Sequence, residues 1–458
     1  MNAQTPDLVV IGAGPAGYVP AIRAAQLGAS VVLFEEDSVG GTCLNRGCIP
    51  TKTMVATTHL LRRASRAGRL SLQGGLAPDW PALARRKSQV VSRLRKGVEG
   101  RLDQLGVRLV RARATLAGPG LVRVEESGDE LRPRFVLLAP GSLPLVPGPL
   151  AGDGILTSDD VLGWESLPES LAIIGGGVIG CEFASVLSAM GVDVTIVEML
   201  PAILPGVDPD VKAVVHASLT KGGVRVITGD GAGSISRPAG STGAQVTLLS
   251  GESLTADSVL VAVGRRPRVS GLGLDEAGVE HGKSGVVTDE RMRTTAPGVF
   301  ASGDVTGKWQ LAHAGSAQGL VAVDAMLGRG DRPLDPDAVP SCIFTDPEIA
   351  VVGPGAEELE RRGIEYLTGT SRYLANGRAV GMVETEGFLK LLVSASDRTV
   401  LGVQIVGAEA SSLVGEAVLA VSLHLPVERV AQAVHPHPTL SELFMEAAES
   451  LCEGAIHG

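Results

Sequence analysis

Apolar and polar positions along this chain follow one order twice. Residues 8–36, LVVIGAGPAGYVPAIRAAQLGASVVLFEE, open on a short apolar run and pass a glycine-rich turn. They continue with apolar positions at helical spacing and close on a second apolar run ending in acids. Residues 171–199, LAIIGGGVIGCEFASVLSAMGVDVTIVEM, repeat the order. Short continuous apolar runs bounded by glycine predict buried strands, and the amphipathic stretch between them predicts a helix. Each segment therefore predicts a βαβ unit. LPLVPGPLAGDG (143–154) is rich in Pro and Gly and predicts a linker into the second unit. TTAPGVFASGDVTG (294–307) predicts a strand and a polar glycine turn, and Pro333, Pro336 and Pro340 punctuate a further boundary. Beyond it, strand-like FLKLLVSA and VLGVQIVG alternate with helical SSLVGEAVLAVSL, and the chain reaches a proline-bracketed histidine segment, HPHPTLSE. The fold class this predicts is α/β, with two Rossmann-like units and a C-terminal α+β domain.

Length agrees with that division: 458 residues at about 150 per domain suggest about three domains. Hydrophobic residues make up 44% and charged residues 20%, ordinary for a globular chain. Sixty glycines with 3% aromatics suit tight turns and layers packed with Val, Ala and Leu. Forty Lys and Arg against fifty Asp and Glu give a net charge of −10, and no basic block is evident, so nucleic acid is not expected as a partner. No apolar run approaches the roughly 18–20 residues of a membrane span. MNAQTPDLVVIGAG enters a buried-strand pattern almost at once, with no charged leader, so the cytoplasm is the expected location. Cys43, Cys48, Cys181, Cys342 and Cys452 are too few for a secreted disulfide scaffold; in a cytosolic chain a close pair points to catalysis or metal binding.

The glycine turns carry the first chemistry. In the first unit Gly12 allows the tight turn, Gly14 lets a pyrophosphate approach the backbone, and Gly17 permits close helix–strand packing. Gly175, Gly177 and Gly180 repeat the spacing. A lone GxGxxG is as often a plain glycine turn. Here each has a strand before, a helix after, and an acid eighteen residues beyond its last glycine, Glu35 and Glu198. The roughly 20-residue spacing is that of a carboxylate on a ribose, and the rival reading is an ordinary strand-end acid. Glu198 would bond a ribose 2′-hydroxyl and repel a 2′-phosphate, and EMLPAILPG offers no arginine to hold such a phosphate. NAD is expected over NADP.

GGTCLNRGCIPTK (40–52) places Cys43 and Cys48 five residues apart. Such positions in an ideal helix lie roughly 8–9 Å apart. A disulfide needs Cα atoms within about 4.4–6.8 Å. The segment is expected to be distorted if the two bond, with Gly47 supplying the slack. The spacing is not that of a zinc site. A redox pair is the favoured reading, and unpaired structural cysteines the other.

With these motifs together with VAVGRRPR, FTDPEIAVVG and HPHPTLSE, the chain resembles the pyridine nucleotide–disulfide oxidoreductases nearly end to end, and within them the dihydrolipoyl dehydrogenases. The resemblance implies an FAD-binding domain (1–145), an NAD-binding domain (146–266), a return to the FAD domain (267–338) and a C-terminal dimerisation domain (339–458). It implies that Cys48 lies against the flavin and that Cys43 exchanges with substrate. Lys52 is implied beside the flavin, paired with Glu182, and Asp304 on the ribityl chain. Thr42, Ala114, Ser142, Ala312 and His313 match positions lining FAD, and Gly264 one near the nicotinamide cofactor. The bland readings are a solvated Lys52 and a simple Gly-Asp turn at Asp304.

His437 matches the family's catalytic base, oriented by Glu442, and His435 is its competitor. Thiolate is the nucleophile, and a thiol of pKa about 8.5 is mostly protonated at neutral pH, so a histidine must accept the proton. The implied activity is oxidation of protein-bound dihydrolipoamide with reduction of NAD. The implied partners are a second copy of the chain and lipoyl-bearing domains of a 2-oxo acid, acetoin or glycine-cleavage complex; no metal is implied. Pro140 stands where the family usually has threonine. Arg46 stands between the cysteines where many relatives carry an apolar residue; a guanidinium aimed at the pair would favour thiolate, and a solvated Arg46 is the other reading. The rivals are other NAD(P)H-dependent disulfide reductases, mercuric reductase, and a non-catalytic flavoprotein scaffold. Only Cys452 stands where mercuric reductases carry a vicinal cysteine pair.

Overall fold

Five parallel strands form the first sheet, in the order Val299–Ala301, Phe135–Leu138, Leu8–Ile11, Val31–Phe34 and Arg108–Val110. Leu8–Ile11 and Val31–Phe34 are buried at every position, which is why they read as unbroken apolar runs. The helix Pro15–Gln26 joins them. The computed structural model describes residues 5–152, 154–237, 243–330, 333–454 and 456–457.

The second parallel sheet runs Arg225–Thr228, Asp193–Glu198, Ser170–Ile174, Ser258–Val261 and Ile155–Leu156, with the helix Val178–Ala189 as its crossover. Each parallel sheet carries a three-stranded antiparallel meander: Ala114–Gly118, Leu121–Val124 and Glu130–Leu131 on the first, Ala232–Ser236, Ala244–Leu248 and Ser253–Ala256 on the second. Ser142–Pro144 pairs antiparallel with Arg265–Pro267, so the strands entering and leaving the second unit are stitched together. A third sheet is antiparallel, in the order Ser341–Ile343, Glu348–Val352, Val400–Gly407, Phe388–Ser394 and Tyr366–Arg372. Ala410–Ser422 and Glu442–Glu449 pack on it through a core that includes Leu391, Val403, Ala417, Leu443 and Phe444.

The buried Lys390 fastens this last sheet to the second unit. Its Nζ lies 2.8 Å from both Asp208 and Asp210, at the start of the helix Pro209–Lys221. Among the described residues, no helix is long and apolar enough to cross a membrane.

Candidate active site at the cysteine pair

The segment 40–52 folds as two helices. Gly41–Arg46 ends at Gly47, and Cys48–Ser65 begins after it. Gly47 sits at φ −147° and ψ −113°, and a Cβ there would come within 3.0 Å of the Thr42 carbonyl oxygen. The break expected between the cysteines therefore falls at Gly47. Asn45 pins the turn, its Nδ2 donating to the carbonyls of Ser38, Val39 and Gly41 at 3.3, 3.0 and 2.9 Å. Gly40 N donates to Ala13 O at 2.8 Å, and a Cβ on Gly41 would lie 2.7 Å from Gly14 Cα. The cysteine segment thus lies directly on the first glycine turn.

Both cysteines are free thiols, half-buried. The neighbouring Cys43 thiol favours a thiolate on Cys48, and Lys52 adds to this against the opposing pull of burial; Cys48 is held down at about 7. Cys43 is pushed far up by its Cys48 neighbour and by burial. The reduced pair therefore carries its charge on Cys48 and its proton on Cys43.

Lys52 follows on the same helix, one turn along. Its Nζ lies 3.0 Å from both carboxylate oxygens of Glu182, from the helix of the second unit. Glu182 is buried and also accepts from Phe344 N at 2.9 Å, and the Lys52 ammonium sits 4.3 Å from the Phe344 ring centroid. Elements of three sheets thereby converge on one cation. Phe344 carried no signal in the sequence beyond its place in FTDPEIAVVG.

Arg46 does not act on the thiols. It pairs with Asp37 and lies 3.6 Å from Asp159, so its charge is spent on carboxylates, which corrects the expectation that it could aim at the pair. Asp159 also lies 3.9 Å from Arg265. Arg265 Nε donates to Ser142 Oγ at 2.8 Å, and Ser142 Oγ donates to Asp304 at 2.5 Å. Burial raises the Asp304 carboxyl above its ordinary value against the pull of Ser142 and Arg265. Pro140 lies between the strand Phe135–Leu138 and Ser142.

The first glycine turn is built as its spacing requires. Gly12 has φ +100°, and a Cβ there would lie 2.3 Å from the Ala139 carbonyl oxygen; one on Gly17 would lie 1.8 Å from Gly12 O. No side chain caps the helix that follows. Glu35 accepts from Ala13 N at 2.7 Å and from Asp37 N at 2.9 Å, and burial nonetheless raises its carboxyl. Ala312 and His313 open the helix Ala312–Leu327, which packs on Pro15–Gln26 where Gly315 and Gly319 meet Ala16 and Pro20. His313 Nε2 lies 2.7 Å from the Pro340 carbonyl. Ala114 is buried at the start of its meander strand, and Thr42 sits beside Cys43.

The second turn copies the first. Gly175 has φ +110°, and a Cβ on Gly180 would lie 2.0 Å from Gly175 O, whereas one on Gly177 would meet nothing within 4 Å. The helix from Val178 likewise has no side-chain cap. Open backbone at an uncapped helix N-terminus fits a pyrophosphate. The buried Glu198 accepts from Gly176 N at 2.6 Å and Leu200 N at 2.8 Å. Gly264, φ +125°, sits just before the strand Arg265–Pro267.

His437 stands apart from the cysteines. Its Nδ1 donates to Glu442 Oε1 at 2.8 Å and its side chain is 79% exposed, so Nε2 is left as a base facing outward. Burial pushes Glu442 up, but the Thr439 amide and His437 outweigh it, and its carboxyl ends below the ordinary value. His435 differs: its side chain is 6% exposed, held between Ala433 O at 2.9 Å and Glu416 at 2.8 Å. Among the described residues, no hydrogen bond or ion pair joins His437 to the cysteine segment.

The family profile described as "Pyridine nucleotide-disulphide oxidoreductase" matches residues 6–319, and that of the same family's dimerisation domain matches 339–448. A dihydrolipoyl dehydrogenase of Chlamydia pneumoniae is 40% identical over 456 residues, covering 98% of each chain. Dihydrolipoyl dehydrogenase 2 of Haloarcula marismortui is 40% identical over 463 residues, again covering 98% of each. The crystal structure of LpdA from Mycobacterium tuberculosis superposes with a TM-score of 0.91 at 30% identity, over 97% of this chain and 99% of that one.

Proposed function

Because this chain belongs to the pyridine nucleotide-disulphide oxidoreductase family, we propose that it is a dihydrolipoyl dehydrogenase, oxidising protein-bound dihydrolipoamide and reducing NAD through the Cys43–Cys48 pair. The observation that carries this reading is the setting of the pair: Cys43 and Cys48 flank the break at Gly47 directly on the first glycine turn, and Lys52, one turn beyond Cys48, is held by Glu182.

In the oxidised pair, one substrate thiol loses its proton to solvent through His437, and the resulting thiolate attacks Cys43 Sγ. A substrate–Cys43 bond forms as the Cys43–Cys48 bond breaks, and Cys48 leaves as thiolate. A thiolate of depressed pKa leaves faster, which favours this direction of attack. The second substrate thiol gives its proton to His437 and attacks the substrate sulfur held on Cys43. Lipoamide departs as a disulfide, and Cys43 departs and takes the proton. The substrate has lost two electrons and the pair has gained them. The Gly12–Gly17 turn, Glu35 and the Ser142–Asp304 pair would hold FAD beside Lys52, and FAD would supply a two-electron carrier between the pair and NAD. Lys52, fixed by Glu182, holds charge at that junction, and Glu198 with the Gly175–Gly180 turn orients the adenosine half of NAD.

His437 serves the pair of a second copy. Its exposed imidazole, on a segment where Val434 is 98% exposed, supports a base that works across a two-fold interface. The dimerisation domain of the family supports the homodimer itself. The division 1–145, 146–266, 267–338 and 339–458 is carried with this reading, as are a cytoplasmic location and a lipoyl-bearing partner.

Steady-state turnover of the purified protein with dihydrolipoamide and NAD tests the proposal. Turnover well above that with glutathione disulfide or mercuric ion and NADPH is expected. Preference for either of those overturns it.

A further inference from the structure

The stretch 62–113 holds fourteen Lys and Arg against three Asp and Glu, in a chain whose net charge is −10. Its basic residues recur at helical intervals and escape notice as a block. Most of the stretch is the helix Trp80–Gln104, which buries Trp80, Leu83, Lys87 and Leu102. Lys87 turns inward to the Leu162 carbonyl. Arg85, Arg86, Arg93 and Lys96 are exposed and share the opposite face.

Several other cations in this stretch have partners. Arg62 faces Asp346, Arg63 and Arg66 hold Glu384, and Arg111 holds Glu99. Among the described residues, no carboxylate pairs with Arg85, Arg93 or Lys96. Like charges three and four residues apart destabilise a helix and gain nothing within this chain. Ser88, Gln89, Ser92, Arg93 and Lys96 line a shallow depression of about 580 Å³, so hydrogen-bonding side chains accompany the charges. This helix also lies on the redox helix: Arg86 Nη1 donates to Thr53 O and Thr57 Oγ1 at 3.4 and 3.3 Å, and Thr53 directly follows Lys52.

We propose that the outward face Arg85–Lys96 is a docking surface for an acidic protein domain that carries the dithiol substrate. The inference rests on the functional reading above, in which the substrate is protein-bound. The face spans about 16 Å along the axis, at 1.5 Å per residue. That lies within the footprint of one small domain, about 30 Å across. An acidic carrier held there is steered to the side of the molecule on which Cys43 and Cys48 lie, and its encounter rate falls with salt.

The test compares two substrates on the intact homodimer: free dihydrolipoamide, and a purified dihydrolipoylated domain of net negative charge. In the double variant Arg93→Glu/Lys96→Glu, KM for the domain should rise about tenfold or more at low salt with kcat unchanged. Both constants for free dihydrolipoamide should stay as in the parent. The charge-keeping pair Arg93→Lys/Lys96→Arg should behave as the parent, and the parent's KM for the domain should rise with salt. Normal turnover of free dihydrolipoamide with the domain's KM unmoved by charge reversal overturns the surface alone. So does a salt-independent parent KM for the domain, which needs no variant to fold. Tighter binding of the parent to a DNA duplex or to phosphatidylglycerol vesicles than to the domain also overturns it. Absence of turnover with free dihydrolipoamide overturns the functional reading, and the surface's substrate with it.

Discussion

Removing the Cys43 thiol should change the acid–base state of its neighbour. Cys48 lies at about 7 instead of the ordinary 9.0, and the largest cause is the hydrogen bond from Cys43. At about 1.4 kcal/mol per pH unit, the net stabilisation of that thiolate is on the order of 3 kcal/mol. In Cys43→Ala the donor is gone, burial and Glu182 still push the thiol up, and only Lys52 and the local backbone pull it down. The Cys48 pKa should return to about 9 or higher, so its thiolate fraction at pH 7 falls from about one half to about one hundredth. Cys43→Ser keeps a hydroxyl donor and should retain part of the shift. The assay is the ultraviolet thiolate absorbance of the reduced protein against pH, with the Cys43→Ala/Cys48→Ser double variant as blank. A Cys48 that still titrates near 7 in Cys43→Ala would refute the reasoning and assign the shift to Lys52 and the local backbone.

Arg46→Val should leave the pH dependence of the reduced pair unchanged, because the guanidinium is engaged by Asp37 and Asp159; the same titration checks it. NAD should be preferred to NADP by at least about tenfold in kcat/KM, or ~1.4 kcal/mol, because Glu198 ends its strand as a buried carboxylate beside the glycine turn. Equal rates with the two cofactors would show that Glu198 does not meet the ribose. Cys43→Ser and His437→Gln homodimers should each be nearly inactive, while mixed dimers should recover up to about half of the parental activity, since one of their two sites is intact. No recovery in proven mixed dimers would place both residues in one subunit.

Much of this was legible before any coordinates. Both βαβ units read directly because a parallel strand covered on both faces is apolar throughout, as in Leu8–Ile11 and Ser170–Ile174. Gly47 stood out because the cysteine spacing does not suit a straight helix. The long helix Trp80–Gln104 is not legible in the sequence, because its mean composition is polar and only four of its side chains are buried. Three features depend on contacts far apart in sequence, which periodicity does not carry. These are Asp159 beside Arg46, the Phe344 ring and amide around Lys52 and Glu182, and the Arg265 bridge to Ser142 and Asp304. The choice between His435 and His437 rested on motif position; exposure supplies a physical reason, since one imidazole is enclosed and the other faces outward.

The central claim is that electrons enter through Cys43. The most direct measurement is dihydrolipoamide turnover with NAD by Cys43→Ser protein purified with its flavin bound. The account predicts a yellow protein with the parent's flavin content and nearly no turnover, because no sulfur remains at position 43 to form the mixed disulfide. Turnover like the parent's in that variant would contradict it.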